Sequence, residues 1–236
     1  MLFDPSYLPI FIISLILMYI PQMIVKSTFG KFSKVRNQKG YTGAEVAKGL
    51  LKDAGVYNVG VEAVGGKLTD YYDPSGKVIR LSDDVYSSNS IAALGVAAHE
   101  AGHAIQDNKG YVPMQLRAGI FPAVMFGQNL GPILVMIAIV LQVMLHAPGL
   151  STLVGVAGIA IYGAVVLFQI VTLPVELNAS SRAIQALVGG GYLAQDEIGG
   201  ARKVLNAAAM TYLAAALIAI LNLLYYIWLI FGRNRD

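Results

Sequence analysis

Charged side chains are distributed so unevenly along this chain that three long stretches contain none, and each is apolar enough to predict membrane-spanning helices. The first, Pro5 to Val25, has 21 uncharged residues, close to the roughly 20 a helix needs to cross the hydrocarbon core. The second, Ala118 to Val175, has 58, enough for two spans with a tight turn at "HAPG", His146 to Gly149. The third, Val204 to Gly232, has 29 and ends in the tail "RNRD". The pattern predicts four transmembrane helices, at 1–25, 118–145, 150–175 and 204–232, separated by polar segments at 26–117 and 176–203.

Between the first two spans the local signals change to those of a small α+β domain. "YTGAEVAKGLLKDAG" places Thr42 and Glu45 in capping-box spacing and ends at Gly55, predicting a helix of about three turns. "VYNVGVEAV" and "KLTDYYDPSGKVIRLS" read as strands, with Asp73 to Gly76 forming a hairpin turn. "IAALGVAAHEAGHAIQ" follows a polar run rich in N-cap residues and consists largely of good helix formers. The predicted fold class is therefore a mainly α integral membrane protein carrying a small α+β domain.

Composition agrees, with 56% hydrophobic and only 13% charged residues and a mean hydropathy of +0.61. The 17 basic residues orient the chain: 12 fall between the first and second spans and three between the third and fourth, leaving Arg233 and Arg235 opposite. Positive loops stay in the cytoplasm, so both polar segments are expected there, with the termini and the "HAPG" turn outside. "MLFDPSY" offers only Asp4 ahead of the apolar run, which reads as a retained anchor and not as a cleaved signal. The net charge of +3 is explained by basic residues near anionic lipid, so no nucleic-acid partner is expected. The absence of cysteine suits a reducing compartment and restricts any metal site to His, Asp and Glu.

Two of the three histidines, His99 and His103, stand four apart with Glu100 directly after the first. On a helix they share a face and can offer imidazole nitrogens to one ion about 2.0 to 2.1 Å away. Glu100 projects about 100° around the helix from His99, where it can accept a proton from a water activated by the metal. Given three histidines, this HExxH pattern would arise by chance on the order of 0.001 times per chain. The surrounding small residues, Ala92, Ala93, Gly95, Ala97, Ala98, Ala101, Gly102 and Ala104, allow close helix packing whatever the chemistry.

A catalytic zinc usually takes three protein ligands and leaves a position for water. His146 falls in the outer turn, across the bilayer, and Asp107 lies one turn beyond His103, about 6 Å along the axis. Glu176, where the third span ends on the same side as the motif, is the preferred third ligand. Among the other glutamates, Glu45 has a capping task, Glu62 sits in a strand and Glu197 opens a helix.

"AAHEAGHAIQ", "LPVELNASSRAIQAL" and "GARKVLNAAAMTYLAAAL", together with the apolar amino terminus, resemble the YugP-like membrane zinc metallopeptidases over nearly the whole chain. The resemblance implies a neutral zinc peptidase of a bacterial cell membrane, with His99, His103 and Glu176 as zinc ligands and Glu100 as general base. The arrangement is also similar to the glutamate-ligand membrane proteases of the HtpX type, in which an aspartate follows the glutamate by four residues. Here that position is Ser180. Asn178, Ser180 or a backbone oxygen are then the candidates for the second imidazole nitrogens, and Arg182 for an acid or the substrate. Tyr192 and Arg182 are candidates to stabilise an oxyanion.

The expected activity is hydrolysis of peptide bonds in membrane or membrane-proximal proteins, with an extended substrate paired to a strand edge. Two other readings are open: an intramembrane-cleaving protease, and a non-catalytic zinc-binding scaffold or chaperone adaptor. The apolar run around HExxH is about 17 residues with polar flanks, short for a span, and a structural zinc site has no need of Glu100. Oligomeric state, cleavage preference and regulation are not specified by the sequence.

Overall fold

The structure is a computed structural model that describes residues 7–232. Asp4, at the entrance to the first span, and the tail cations Arg233 and Arg235 lie outside the described residues. The elements run α1 (Leu8–Phe32), α2 (Gly43–Asp53), β1 (Gly60–Val64), β2 (Tyr71–Asp73), β3 (Val78–Ser82), α3 (Asp83–Tyr86), α4 (Ile91–Asn108), α5 (Val112–Val143), α6 (Pro148–Gly189) and α7 (Ile198–Ile227). A π-helical segment, Trp228–Gly232, continues α7.

The protein is a mainly α membrane protein with four helices long and apolar enough to cross a bilayer, namely α1, α5, α6 and α7 with its continuation. The "HAPG" turn joins α5 to α6, with His146 in the left-handed region at φ 47°. The helices outrun the uncharged stretches: α5 starts at Val112, six residues earlier, α6 continues to Gly189 and α7 starts at Ile198. Hydropathy marks the part of a helix suited to lipid, whereas backbone hydrogen bonding continues as long as good helix formers and a buried face persist.

The chain divides into two compact units. Among the described residues, one takes those up to Ile20, Leu116–Leu173 and those from Tyr212 onward. Its helices approach closely through small residues: a Cβ on Gly131 of α5 would lie 2.8 Å from the Cβ of Tyr162 on α6. Val135, Ala138, Tyr162, Val165, Tyr225 and Leu229 form its core, while Phe126, Met144, Leu153 and Leu213 project outward, as lipid-facing side chains should.

The other unit takes Pro21–Gln115 and Pro174–Thr211. Here the capping box of α2 is complete, with Thr42 Oγ1 accepting from the Glu45 backbone N–H and Glu45 accepting from Thr42. The sheet has order β1-β3-β2, with β1 parallel and β2 antiparallel to β3. Asp73 holds the hairpin turn by accepting from the N–H groups of Ser75 and Gly76. The central strand β3 is buried, and its Ile79 and Leu81 pack with Val46, Leu50, Leu94 and Leu187 into one core with α2, α4 and α6. Asp107, near the end of α4, accepts from Tyr72 Oη at 2.6 Å and from Lys77, fastening the hairpin to that helix.

Ile79→Ala is expected to remove about 2 to 5 kcal/mol of stability from this unit, because Ile79 is completely buried at the sheet's centre. Tyr57→Ala, at an exposed position, should change it by less than about 0.5 kcal/mol. Denaturation of the detergent-solubilised protein followed by circular dichroism would compare the two.

Candidate metal centre

Two helices build the site. Ser90 caps α4, its side chain accepting from the Ala93 N–H, and sets the start of a helix in which eight of the thirteen residues from Ala92 to Ala104 are alanine or glycine. The second contribution is the carboxyl-terminal part of α6. Val175, Ala179, Ala183 and Leu187 recur every four residues there and are essentially fully buried, forming the stripe that packs in the core. Glu176 lies on the edge of that stripe and is only 2% exposed.

The crossing is close because position 102 has no side chain. A Cβ there would sit 2.8 Å from the backbone oxygen of Ala179 and 3.3 Å from its Cα, so any larger residue pushes backbone against backbone. The glycine of HEAGH thus has a steric task facing α6, while the histidines on either side of it turn toward Glu176.

His99 Nε2 lies 3.2 Å, and His103 Nε2 3.4 Å, from the same oxygen, Glu176 Oε2. One donor atom from each of the three residues can be chosen so that all lie within 4.8 Å of one another. Four ligands around one zinc at 2.0 to 2.1 Å in tetrahedral geometry stand about 3.3 Å apart, so both nitrogen–oxygen separations match a shared coordination sphere. The imidazole rings are nearly perpendicular, at 84°, with centroids 4.6 Å apart.

Glu100 is 8% exposed and belongs to the same electrostatic group. Burial pushes its carboxyl above the usual range, against the lowering pull of His99 and His103. For His103, burial opposes the charged form, yet the hydrogen bond to Glu176 and the charges of Glu100 and Glu176 raise it overall.

The nitrogens turned away from Glu176 have partners of their own. His99 Nδ1 lies 3.2 Å from Ser180 Oγ, one turn beyond Glu176, so the serine occupies the place the motif comparison left open. His103 Nδ1 lies 3.0 Å from Oε1 of Gln106, a side chain with no exposure at all. Gln106 escaped the motif reading; its only signal was its position three residues after His103 on one helical face. Asn178 accepts from Gln106 Nε2 at 3.0 Å and from Arg182 Nε at 2.7 Å. Tyr192 donates to Asp53 of α2 at 2.8 Å. Both oxyanion candidates, Tyr192 and Arg182, are therefore engaged in other contacts. Asp107 bonds Tyr72 and Lys77 and takes no part in the cluster.

Residues 7–231 match the model of a family described as "Putative neutral zinc metallopeptidase". The chain belongs to this family. It is also 46% identical, over 91% of its length and 92% of the relative's, to a protein of Bacillus subtilis (strain 168) named "Putative membrane protease YugP". No solved structure matches it. Membership in a zinc metallopeptidase family implies zinc, and the donor chemistry fits: two imidazoles and one carboxylate, with spacings suited to a tetrahedral ion.

Gly102→Ala is expected to force α4 and α6 apart and to lower zinc affinity at least tenfold, whereas Gly95→Ala, whose added Cβ would meet only ordinary contacts near 3.7 Å, should leave affinity within about twofold. Zinc competition with a chelator on the purified variants would measure both.

Proposed function

We propose that the protein is a membrane-embedded zinc endopeptidase in which His99, His103 and Glu176 hold the metal and Glu100 is the general base. The observation that carries this reading is the convergence of both Nε2 atoms on Glu176 Oε2 at 3.2 and 3.4 Å, beside the buried carboxyl of Glu100. Zinc bound there would lower the pKa of a water toward about 7 and polarise a scissile carbonyl.

The protein's own groups supply the remainder. Glu100 accepts the proton of the attacking water and returns it to the departing amine nitrogen. Its burial beside the two histidines keeps competing bulk water away from that proton. Ser180 and Gln106 hold the two rings from behind. An extended peptide is received along the edge strand β2, which pairs with β3 on one side only.

Residues 26–117 and 176–203 constitute the cytoplasmic part in this reading, with the termini and the α5–α6 turn on the outside of a bacterial cell membrane. Substrates are then membrane proteins or proteins held close to the membrane. A purely structural zinc would have no use for the buried carboxyl of Glu100 beside a three-donor set.

The test compares wild type, Glu100→Gln and Glu176→Ala. Glu100→Gln should keep about one zinc per chain while peptide hydrolysis falls at least 100-fold, and Glu176→Ala should lose most of its zinc. Retained hydrolysis in Glu100→Gln, or normal zinc in Glu176→Ala, would overturn the assignment. For topology, the natural lack of cysteine leaves no background for thiol labelling. In intact cells a membrane-impermeant reagent is expected to label Ala147→Cys and to spare Ser75→Cys, and the reverse pattern would invert the orientation.

A further inference from the structure

We infer that Gln106 is a positioning residue that fixes the tautomer of His103, keeping its proton on Nδ1 and presenting the bare lone pair of Nε2 to the metal. The inference rests on the zinc reading above and adds a residue that the HExxH pattern does not contain.

The direction of each hydrogen bond follows from what its ends can do. Gln106 Nε2 lies 2.8 Å from the backbone oxygen of Val175 and 3.0 Å from Oδ1 of Asn178. A carbonyl can only accept, so the amide nitrogen of Gln106 must face Val175. From the other end, Arg182 can only donate, so the atom of Asn178 at 2.7 Å from Arg182 Nε must be oxygen. That same oxygen again requires the amide nitrogen of Gln106 on its side. Two independent constraints thus give one orientation, which an isolated amide would not have.

With both amide hydrogens committed to α6, the oxygen Oε1 is what remains for His103, 3.0 Å from Nδ1. An oxygen without hydrogen accepts, so Nδ1 carries the proton. With the Nδ1 proton held there, Nε2, which lies 3.4 Å from Glu176 Oε2, is the nitrogen left to take a metal. A divalent ion placed between them would be held by that nitrogen's lone pair and by the carboxylate oxygen.

The chain Arg182, Asn178, Gln106, His103 also links the two helices. Gln106 and His103 stand on α4, and Val175, Asn178 and Arg182 on α6, the helix that carries Glu176. One side chain therefore sets both which nitrogen of His103 is available and where that nitrogen stands relative to the carboxylate. His99 is held differently, since Ser180 offers a hydroxyl that can donate or accept.

The experiment uses the full chain in detergent with ¹⁵N-labelled histidine, loaded with zinc, as wild type, Gln106→Leu, Asn178→Asp and Asn178→Leu. Chelator competition gives zinc affinity, and two-bond nitrogen–proton correlation spectra show which ring nitrogen of His103 carries the proton. Asn178→Asp retains an acceptor for both Gln106 and Arg182, so it should keep the Nδ1–H pattern and remain within about threefold of wild-type affinity. Gln106→Leu should lose the single Nδ1–H pattern and bind zinc about 10- to 100-fold more weakly, and Asn178→Leu should move in the same direction. A role in packing alone would leave the His103 pattern untouched. Wild-type affinity with an unchanged pattern in Gln106→Leu would overturn the inference. If that variant does not fold, equal behaviour of Asn178→Leu and Asn178→Asp overturns it instead. Failure of the zinc reading looks different: wild type and His103→Ala would then take up zinc alike, and both conclusions would fall.

Discussion

A carboxylate 2% exposed to solvent, with two imidazoles against it, is the most demanding feature of this molecule. Taking such groups out of water costs several kcal/mol each unless charge and hydrogen bonds compensate. The two helices must therefore meet within hydrogen-bonding distance at one place and in one rotational setting. The bare backbone at Gly102 permits that approach against Ala179, and the capped start of α4 and the buried four-residue stripe of α6 fix the rotation. The neighbouring small side chains bury little apolar area each. Ile79, Leu81, Leu94 and Leu187 supply the anchoring burial beside them, so the site is held by a core it does not itself contribute much to.

The polar groups behind the histidines complete the compensation. Gln106 is buried without exposure, yet its amide nitrogen and oxygen all have partners, and the chain of bonds ends at Arg182, which is part-exposed. A buried polar network that is fully satisfied favours one arrangement of its members, whereas one missing a partner would be worse than an apolar replacement. This is why a cluster of three candidate metal ligands draws in Ser180, Gln106 and Asn178 as well.

Much of this was legible from local rules. The capping box at Thr42, the turn at Asp73 to Gly76, the helix under HExxH and the presence of four apolar helices all depend on interactions between residues near in sequence, and all are found. Glu176 was reachable because few acidic residues lay on the appropriate stretch, and the structure brings its carboxylate to both histidines. The true lengths of α5, α6 and α7 were hidden, since hydropathy reports where a helix suits lipid and is silent about the turns beyond. Gln106 was hidden for a different reason: an amide has no spacing rule, and its value comes from Val175 and Asn178, about 70 residues away. The bond from Tyr192 to Asp53 was hidden in the same way, since its two ends lie far apart in sequence.

The four-residue stripe on α6 also decides what kind of change this family can absorb. A helix is counted in whole residues, each worth about 100° and 1.5 Å. Substitutions on the outer face of α6 leave the stripe in phase, but one residue inserted or deleted between Val175 and Ala183 would break it, swinging Glu176 or Ser180 away from the histidines relative to the apolar anchors. The hairpin turn at Asp73 to Gly76 bears no such phase and can lengthen at modest entropic cost. Over evolutionary drift, therefore, variation in chain length should collect in the turns, while this stretch of α6 keeps its count even where its exposed letters change.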